Sequence, residues 1–65
     1  MLASMPNTDH NFLEMMIAHH SSAIGMADEE QIYGANPRLK ATAATIISSQ
    51  AREIGDMQAL RDRGV

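Results

Sequence analysis

Gly34-Ala35-Asn36-Pro37 is the break between two long stretches that have helical periodicity. A glycine just past a helix end can adopt the left-handed conformation, so Gly34 is suited to end the first helix. Asn36 is a good N-cap, because its side-chain oxygen can accept hydrogen bonds from the free amides of the next turn. Pro37 fits the first helical position, where its missing N–H costs nothing. These residues therefore predict a helix, a tight turn and a second helix.

The length of the chain limits it to one small domain. It has 65 residues, with no strand pattern, repeat or low-complexity segment. We therefore predict an all-α fold, a two-helix antiparallel hairpin. Residues 1–8 are interpreted as a disordered lead-in and residues 9–65 as the domain. The predicted elements are a first helix at 9–33, a turn at 34–36 and a second helix at 37–62.

The composition excludes several classes of function. Five Lys and Arg against eight Asp and Glu give a net charge of -3, and the basic residues are scattered rather than clustered. A nucleic-acid partner is therefore not expected. The longest apolar run, Met15 to Ala18, is far shorter than the roughly 20 residues that span a membrane, so membrane insertion is not expected either. Met1 to Met5 lacks the features of a signal peptide.

The apolar side chains of the first helix cover more of its surface than one neighbouring helix needs. An amphipathic helix that packs on one neighbour needs an apolar stripe of only roughly 100°. Because a hairpin supplies one neighbour, we predict that two copies associate into a homodimeric four-helix bundle. The central line of the predicted core face consists of Phe12, Met16, His19, Ala23, Met26, Ala27 and Glu30. Its flanks are formed by Met15, Tyr33, Leu13, Ile17, His20 and Ile24.

The second helix has polar residues in its predicted core stripe. Gln50 lies near the centre of this stripe and Glu53 lies at its margin. A polar side chain at a core position must find a partner, since otherwise its lost hydration costs on the order of 1–3 kcal/mol. We expect the partners to be His19, His20 and Asp9 on the first helix. The apolar part of the stripe consists of Leu39, Ala43, Ile46, Ile47, Ile54 and Met57.

Thioether and imidazole groups lie one helical turn apart, which is a spacing that allows chelation of a metal ion. His19 follows Met15 and Met16 by one turn, and His20 follows Met16. His19 and His20 diverge by about 100°, so a single helix does not direct both to one ion. Thioethers favour Cu(I), whereas imidazole and carboxylate favour Cu(II) or zinc. The predicted metal ligands are His19, His20, Met16, Met15, Glu53 and Met57, with Asp9 and Gln50 in a supporting polar network.

A structural interpretation stays open beside the metal site. Methionine is a common core filler, and a buried histidine bonded to Gln or Glu can fix the register of a helical bundle. The domain would then be a non-enzymatic dimerisation module with a buried hydrogen-bond network. No catalytic residue is assigned, because there is no Gly-rich phosphate loop and Ser21 and Ser22 do not face the adjacent histidines on a helix.

Three blocks of the sequence carry a family resemblance: Asp9-x-x-Phe12, Met16-Ile17-x-His19-His20-x-x-Ala23-Ile24-x-Met26-Ala27 and Ala43-x-x-Ile46-x-x-x-Gln50-x-x-Glu53-Ile54-x-x-Met57. Together they resemble the bacterial family catalogued as domain of unknown function 305. The resemblance implies a ferritin-like helical bundle, often in exported proteins, so a periplasmic or extracellular location is expected. It also implies that some members bind copper, with no established enzymatic activity. The motif positions are His19, His20, Met16, Met26, Gln50, Glu53 and Met57, together with Phe12, Ala23 and Ile54.

Overall fold

The chain folds into an antiparallel hairpin of two long helices. The computed structural model describes residues 8–64. Helix α1 spans Thr8–Tyr33 and helix α2 spans Pro37–Asp62, and no strand occurs within the described residues. The all-α hairpin predicted from the sequence is thereby confirmed. The predicted lead-in, residues 1–8, lies outside the described part of the chain except for Thr8.

The turn between the helices has the predicted capping chemistry. Asn36 has extended backbone dihedrals, and its Oδ1 accepts hydrogen bonds from the backbone N–H groups of Arg38 at 2.9 Å and Leu39 at 3.1 Å. Pro37 follows as the first residue of α2. Helix α1 begins one residue before the predicted Asp9, which therefore lies in the first turn. Its negative charge is favourable there, because the helix dipole is positive at this end.

The backbone conformation of Gly34, at the end of α1, differs from the predicted one. Among residues 8–64 a positive φ occurs at Gly64, at 88°, and not at Gly34, so the predicted left-handed conformation of Gly34 is wrong. The N–H of Gly34 instead donates to the Glu30 carbonyl at 2.8 Å and continues the helical pattern. A Cβ at this position would collide with that carbonyl oxygen and with the Glu30 carboxylate. Glycine is required here because the backbone segments approach closely.

Contacts near both ends of the hairpin define how the helices align. At the open end, Arg61 Nη1 donates to Glu14 Oε1 at 3.0 Å. Near the turn, Gln31 Nε2 donates to the backbone carbonyl of Lys40 at 3.4 Å. The two helices therefore lie side by side between these two contacts. Within residues 8–64, neither helix combines the length and apolar character needed to cross a membrane.

The core of the hairpin is thin, and α2 covers only part of the predicted core face of α1. Within the described residues, the buried apolar side chains are Leu13, Ala27 and Ala43. Phe12 and Met26 were placed on the predicted core line, but they are 57% and 67% exposed. Helix α2 thus covers the part of the predicted arc that contains Leu13 and Ala27 and leaves the part with Phe12 and Met26 uncovered. Periodicity gives the width of an apolar arc, but it does not determine which part of the arc a neighbour covers.

Replacement of Gly34 by alanine tests the close approach at the turn. We expect Gly34→Ala to lower the free energy of unfolding by roughly 1–3 kcal/mol, because the Glu30 backbone must move. Gly25 is the control, since a Cβ there meets nothing within 4 Å. Gly25→Ala should raise the free energy of unfolding by roughly 0.5–1 kcal/mol, because alanine is a better helix former. Urea unfolding measures both, and changes of the same sign would contradict the explanation of Gly34.

Candidate functional site

His20 of α1 and Glu53 of α2 form a polar contact in the middle of the hairpin. His20 Nε2 lies 2.6 Å from Glu53 Oε1. The His20 side chain is 12% exposed, whereas the Glu53 side chain is 54% exposed. An ionised carboxylate can only accept hydrogen bonds, so Nε2–H of His20 is the donor. Nδ1 of the neutral imidazole then keeps a lone pair with which it can bind a metal ion.

Two methionines lie one helical turn from this contact. Met16 precedes His20 by four residues, and Met57 follows Glu53 by four residues. Because the helices are antiparallel, both methionines lie on the side of the contact that faces the open end of the hairpin. Both side chains are half-buried. The hairpin thus places an imidazole, a carboxylate and two thioethers on adjoining turns of its two helices.

His19 and Met15, the other predicted metal ligands, lie on a different face of α1. Both side chains are exposed. His19 borders a shallow hollow that is formed by α1 alone, with Ala18, Ser22, Ala23 and Met26 as its other lining residues. The structure therefore separates His19 and Met15 from His20 and Met16, in keeping with the divergence of adjacent residues on a helix.

Gln50 does not have the partners that the sequence predicted. Its side chain is half-buried, but within residues 8–64 it forms no side-chain hydrogen bond with His19, His20 or Asp9. Asp9 is exposed in the first turn of α1. In the observed alignment Glu53 meets His20, and Gln50 lies nearly one turn closer to the hairpin turn. Of the expected contacts between the polar residues of the two helices, the one between His20 and Glu53 is present, whereas those of Gln50 are absent within residues 8–64.

The sequence did not predict the ion pair between Glu14 and Arg61 at the open end. The hydrogen bond to Glu14 raises the pKa of the Arg61 guanidinium. Arg61 Nε also lies 3.7 Å from Asp62 Oδ1. Exposed pairs of this kind add little to stability, so the pair contributes mainly to alignment. The pattern that could have indicated it is the hairpin itself, since a turn at 34–36 brings the start of α1 close to the end of α2.

The donor set fits a soft metal ion better than zinc. Within residues 8–64, no three His, Cys, Asp or Glu side chains group closely enough to hold a metal ion. A structural zinc site usually has four such ligands, so the described part of one chain does not assemble it. Met16 and Met57 lie one helical turn from His20 and Glu53, respectively, and thioethers combined with an imidazole suit Cu(I).

Comparison with known proteins identifies a family. A family described as a domain of unknown function, DUF305, matches residues 1–61, which is nearly the whole chain. The chain belongs to DUF305. The resemblance predicted from the sequence motifs is thereby confirmed. No curated protein and no solved structure matches the chain. In this DUF305 hairpin the further motif positions Ala23 and Ile54 are half-buried, whereas Phe12 and Met26 are exposed.

NMR of the histidine side chains tests the contact between His20 and Glu53. We expect the Nε2–H proton of His20 to be protected from exchange and to give a signal at about pH 8, where free histidine is neutral. His19 is the internal control, because it is exposed and should give no such signal. Glu53→Gln should keep the signal, since its amide oxygen still accepts, whereas Glu53→Ala should remove it. A His20 signal that survives Glu53→Ala would show that the contact is not formed.

Proposed function

We propose that this DUF305 chain is a copper-binding module without enzymatic activity and that its site lies in the middle of the hairpin. The observation that supports the proposal most is the 2.6 Å contact between His20 and Glu53, one helical turn from the half-buried side chains of Met16 and Met57. In this proposal the imidazole of His20 and the two thioethers bind Cu(I). Glu53 holds the imidazole ring in position.

The role of Glu53 follows from how histidine binds metals. A metal-binding histidine commonly donates its second ring N–H to a carboxylate, which fixes the tautomer and makes the other nitrogen a stronger donor. The contact from His20 Nε2–H to Glu53 is of this type and leaves Nδ1 for the ion. Because the Glu53 side chain is partly exposed, it can adjust when an ion binds without moving α2.

The thioether ligands and the half-buried position of the proposed site favour Cu(I) over divalent ions. Thioether sulfur is a soft, neutral ligand, and it suits Cu(I) better than zinc or Cu(II). A half-buried site also disfavours higher charge, because an ion that leaves water loses more hydration energy as its charge rises. His20 and Glu53 alone would leave a zinc ion with too few nitrogen and oxygen ligands.

Cu(I) titration of matched methionine variants tests the site. Combining Met16→Leu with Met57→Leu conserves core volume, so each substitution should cost less than about 1.5 kcal/mol in unfolding free energy. Loss of both sulfurs should weaken Cu(I) binding at least about tenfold, which corresponds to 1.4 kcal/mol. Combining Met15→Leu with Met26→Leu is the control, because it removes two exposed sulfurs from the other face. Equal losses in the two double variants would rule out the proposed ligands.

The adjacent histidines provide a second test of the same site. His20→Ala should weaken Cu(I) binding strongly, whereas His19→Ala should leave it unchanged, because His19 points away from α2. Glu53→Gln should weaken binding by about 10- to 100-fold, the usual effect of losing the carboxylate that supports a metal-binding histidine. Equal and weak Cu(I) binding by the native protein and all three variants would rule out the copper proposal.

The exposed apolar side chains favour a second candidate function, a self-associating structural module. Within residues 8–64, seven large apolar side chains are at least 40% exposed. Large apolar patches on a soluble protein commonly mark interaction surfaces. We therefore propose that the chain forms a homo-oligomer, in the simplest case a dimer, in which the His20–Glu53 bond keeps each hairpin aligned. The proposal includes no nucleic-acid partner, because the five Lys and Arg are outnumbered by eight Asp and Glu.

Thermal unfolding separates the two functions. A ligand that binds only the folded state stabilises it by about 2.7 kcal/mol at 100 times its Kd, so Cu(I) should raise the unfolding midpoint of a copper-binding module. A self-associating module should instead unfold at a higher temperature as the protein concentration rises. A midpoint that does not respond to Cu(I) would exclude the copper function. A midpoint that does not respond to protein concentration would count against self-association.

A further inference from the structure

We propose that one face of α1 is the surface on which a second copy of the chain packs. The inference rests on the proposed self-association and is independent of copper binding. We call this face the outer stripe; it consists of Phe12, Met15, His19, Ser22, Met26, Glu29 and Tyr33. These residues recur at alternating steps of three and four along α1. That spacing, kept over roughly six turns, is typical of a seam between packed helices.

The large side chains of the outer stripe are mostly uncovered by the rest of the hairpin. Phe12, Met15, Met26 and Tyr33 are all more than half exposed. Helix α2 instead covers the flank of α1 that contains Leu13. The apolar arc of α1 therefore has two parts. Helix α2 covers one part, and the other part, the outer stripe, is exposed. Within residues 8–64 nothing covers the outer stripe, and a helix of a second copy would bury it.

The outer stripe continues into an apolar groove between the two helices. The groove has a volume of about 270 Å³, and Met26 belongs both to its lining and to the outer stripe. Helix α2 adds Leu39, Thr42 and Ile46 to the lining. One side of the hairpin thus presents a continuous surface from both helices. A second hairpin can place a helix along this groove, as the helices do in a four-helix bundle.

The size of this surface suits a second copy. Each helix has 26 residues. At 1.5 Å per residue such a helix is about 39 Å long, and two helices side by side are roughly 20 Å wide, so one face covers roughly 780 Å². A stable interface typically takes about 800 Å² from each partner. The face is therefore as large as a dimer of this chain needs.

The charges of the two helices also indicate that the partner of this surface is a second copy of the chain. Helix α1 contains five acidic and no basic side chains, whereas α2 contains four basic and three acidic side chains. The acidic α1 is therefore complementary to the α2 of another copy, as it is to its own α2. An anionic membrane does not fit, because helices that lie on such surfaces have Lys and Arg on their polar face.

This interface gives the adjacent histidines separate roles. His20 contacts α2 within the hairpin, whereas His19 lies in the outer stripe and becomes an interface residue. A polar residue within a helical seam lowers the stability of the assembly but can set its register. His19 therefore acts on association, and it is not required for the copper site.

A matched pair of lysine variants tests the surface. Met26 lies on the outer stripe and Ile32 lies off it, about 120° away around α1. Both are exposed to similar extents, 67% and 61%. Each lysine gains acidic neighbours one turn away, since Met26 precedes Glu29 and Glu30, and Ile32 follows Asp28 and Glu29. Sedimentation equilibrium over a range of protein concentrations gives the association state, and circular dichroism gives the helix content.

We expect the native chain to form a dimer, Met26→Lys to weaken the dimer at least about tenfold and Ile32→Lys to leave it unchanged. A monomeric Met26→Lys that keeps its helix content supports the surface. Met15→Lys, on the outer stripe but outside the groove lining, decides the question if Met26→Lys unfolds, and a dimer as stable as the native one would then overturn the surface. A native chain that is monomeric at all concentrations overturns both self-association and the surface. A native dimer that Ile32→Lys disrupts as much as Met26→Lys overturns the surface alone.

His19→Leu tests the assignment of His19 to the same surface. Replacing a polar residue in a helical seam by leucine should tighten the dimer several-fold, roughly in line with the gain from burying an apolar side chain. Sedimentation equilibrium measures this change. The Cu(I) affinity of the variant is the second measurement and should match that of the native chain. Association that is unchanged or weaker in His19→Leu would overturn the placement of His19 in the interface.

Discussion

A two-helix hairpin gives each helix a single neighbour, and the rest of the structure follows from this constraint. The apolar arc of α1 is wider than α2 can cover, so α2 takes the flank that contains Leu13 and Ala27 and leaves Met26 in solvent. Because few apolar side chains are buried among residues 8–64, alignment depends on polar contacts such as the one between Glu53 and His20, whose side chain is 12% exposed. Two of the donor groups of the proposed copper site, His20 and Met16, therefore lie on the same helix as the outer stripe.

Features set by local chemistry could be predicted from the sequence. The capping role of Asn36 depends only on its own side chain and the next turn, and the structure confirms it. The hairpin follows from that cap, from Pro37 and from the periodicity on either side. The family follows from the combined motif of both helices, and the match over residues 1–61 confirms it. Each of these predictions needed no knowledge of how one helix is rotated against the other.

Features set by the rotation and alignment of the helices could not be predicted. The spacing of residues shows that Gln50 and Glu53 lie on neighbouring parts of α2, but a shift of one turn decides which of them meets His20. The rotation of α1 likewise decides whether His19 faces α2 or solvent. Gly34 illustrates the same limit at the turn. A glycine after a helix can be needed because its φ is positive or because another backbone segment comes too close for a side chain. Only the structure shows that the second reason applies to Gly34.

The methionines of the hairpin fall into two classes, which has a consequence for oxidation. Met15 and Met26 are exposed, whereas Met16 and Met57 are half-buried. Oxidants in solution reach exposed thioethers first and convert them into polar sulfoxides. The first damage therefore falls on the outer stripe, where a sulfoxide would oppose packing against another helix, while the sulfurs of Met16 and Met57 are better shielded. Thioethers on the surface can thus act as sacrificial scavengers for those inside the hairpin.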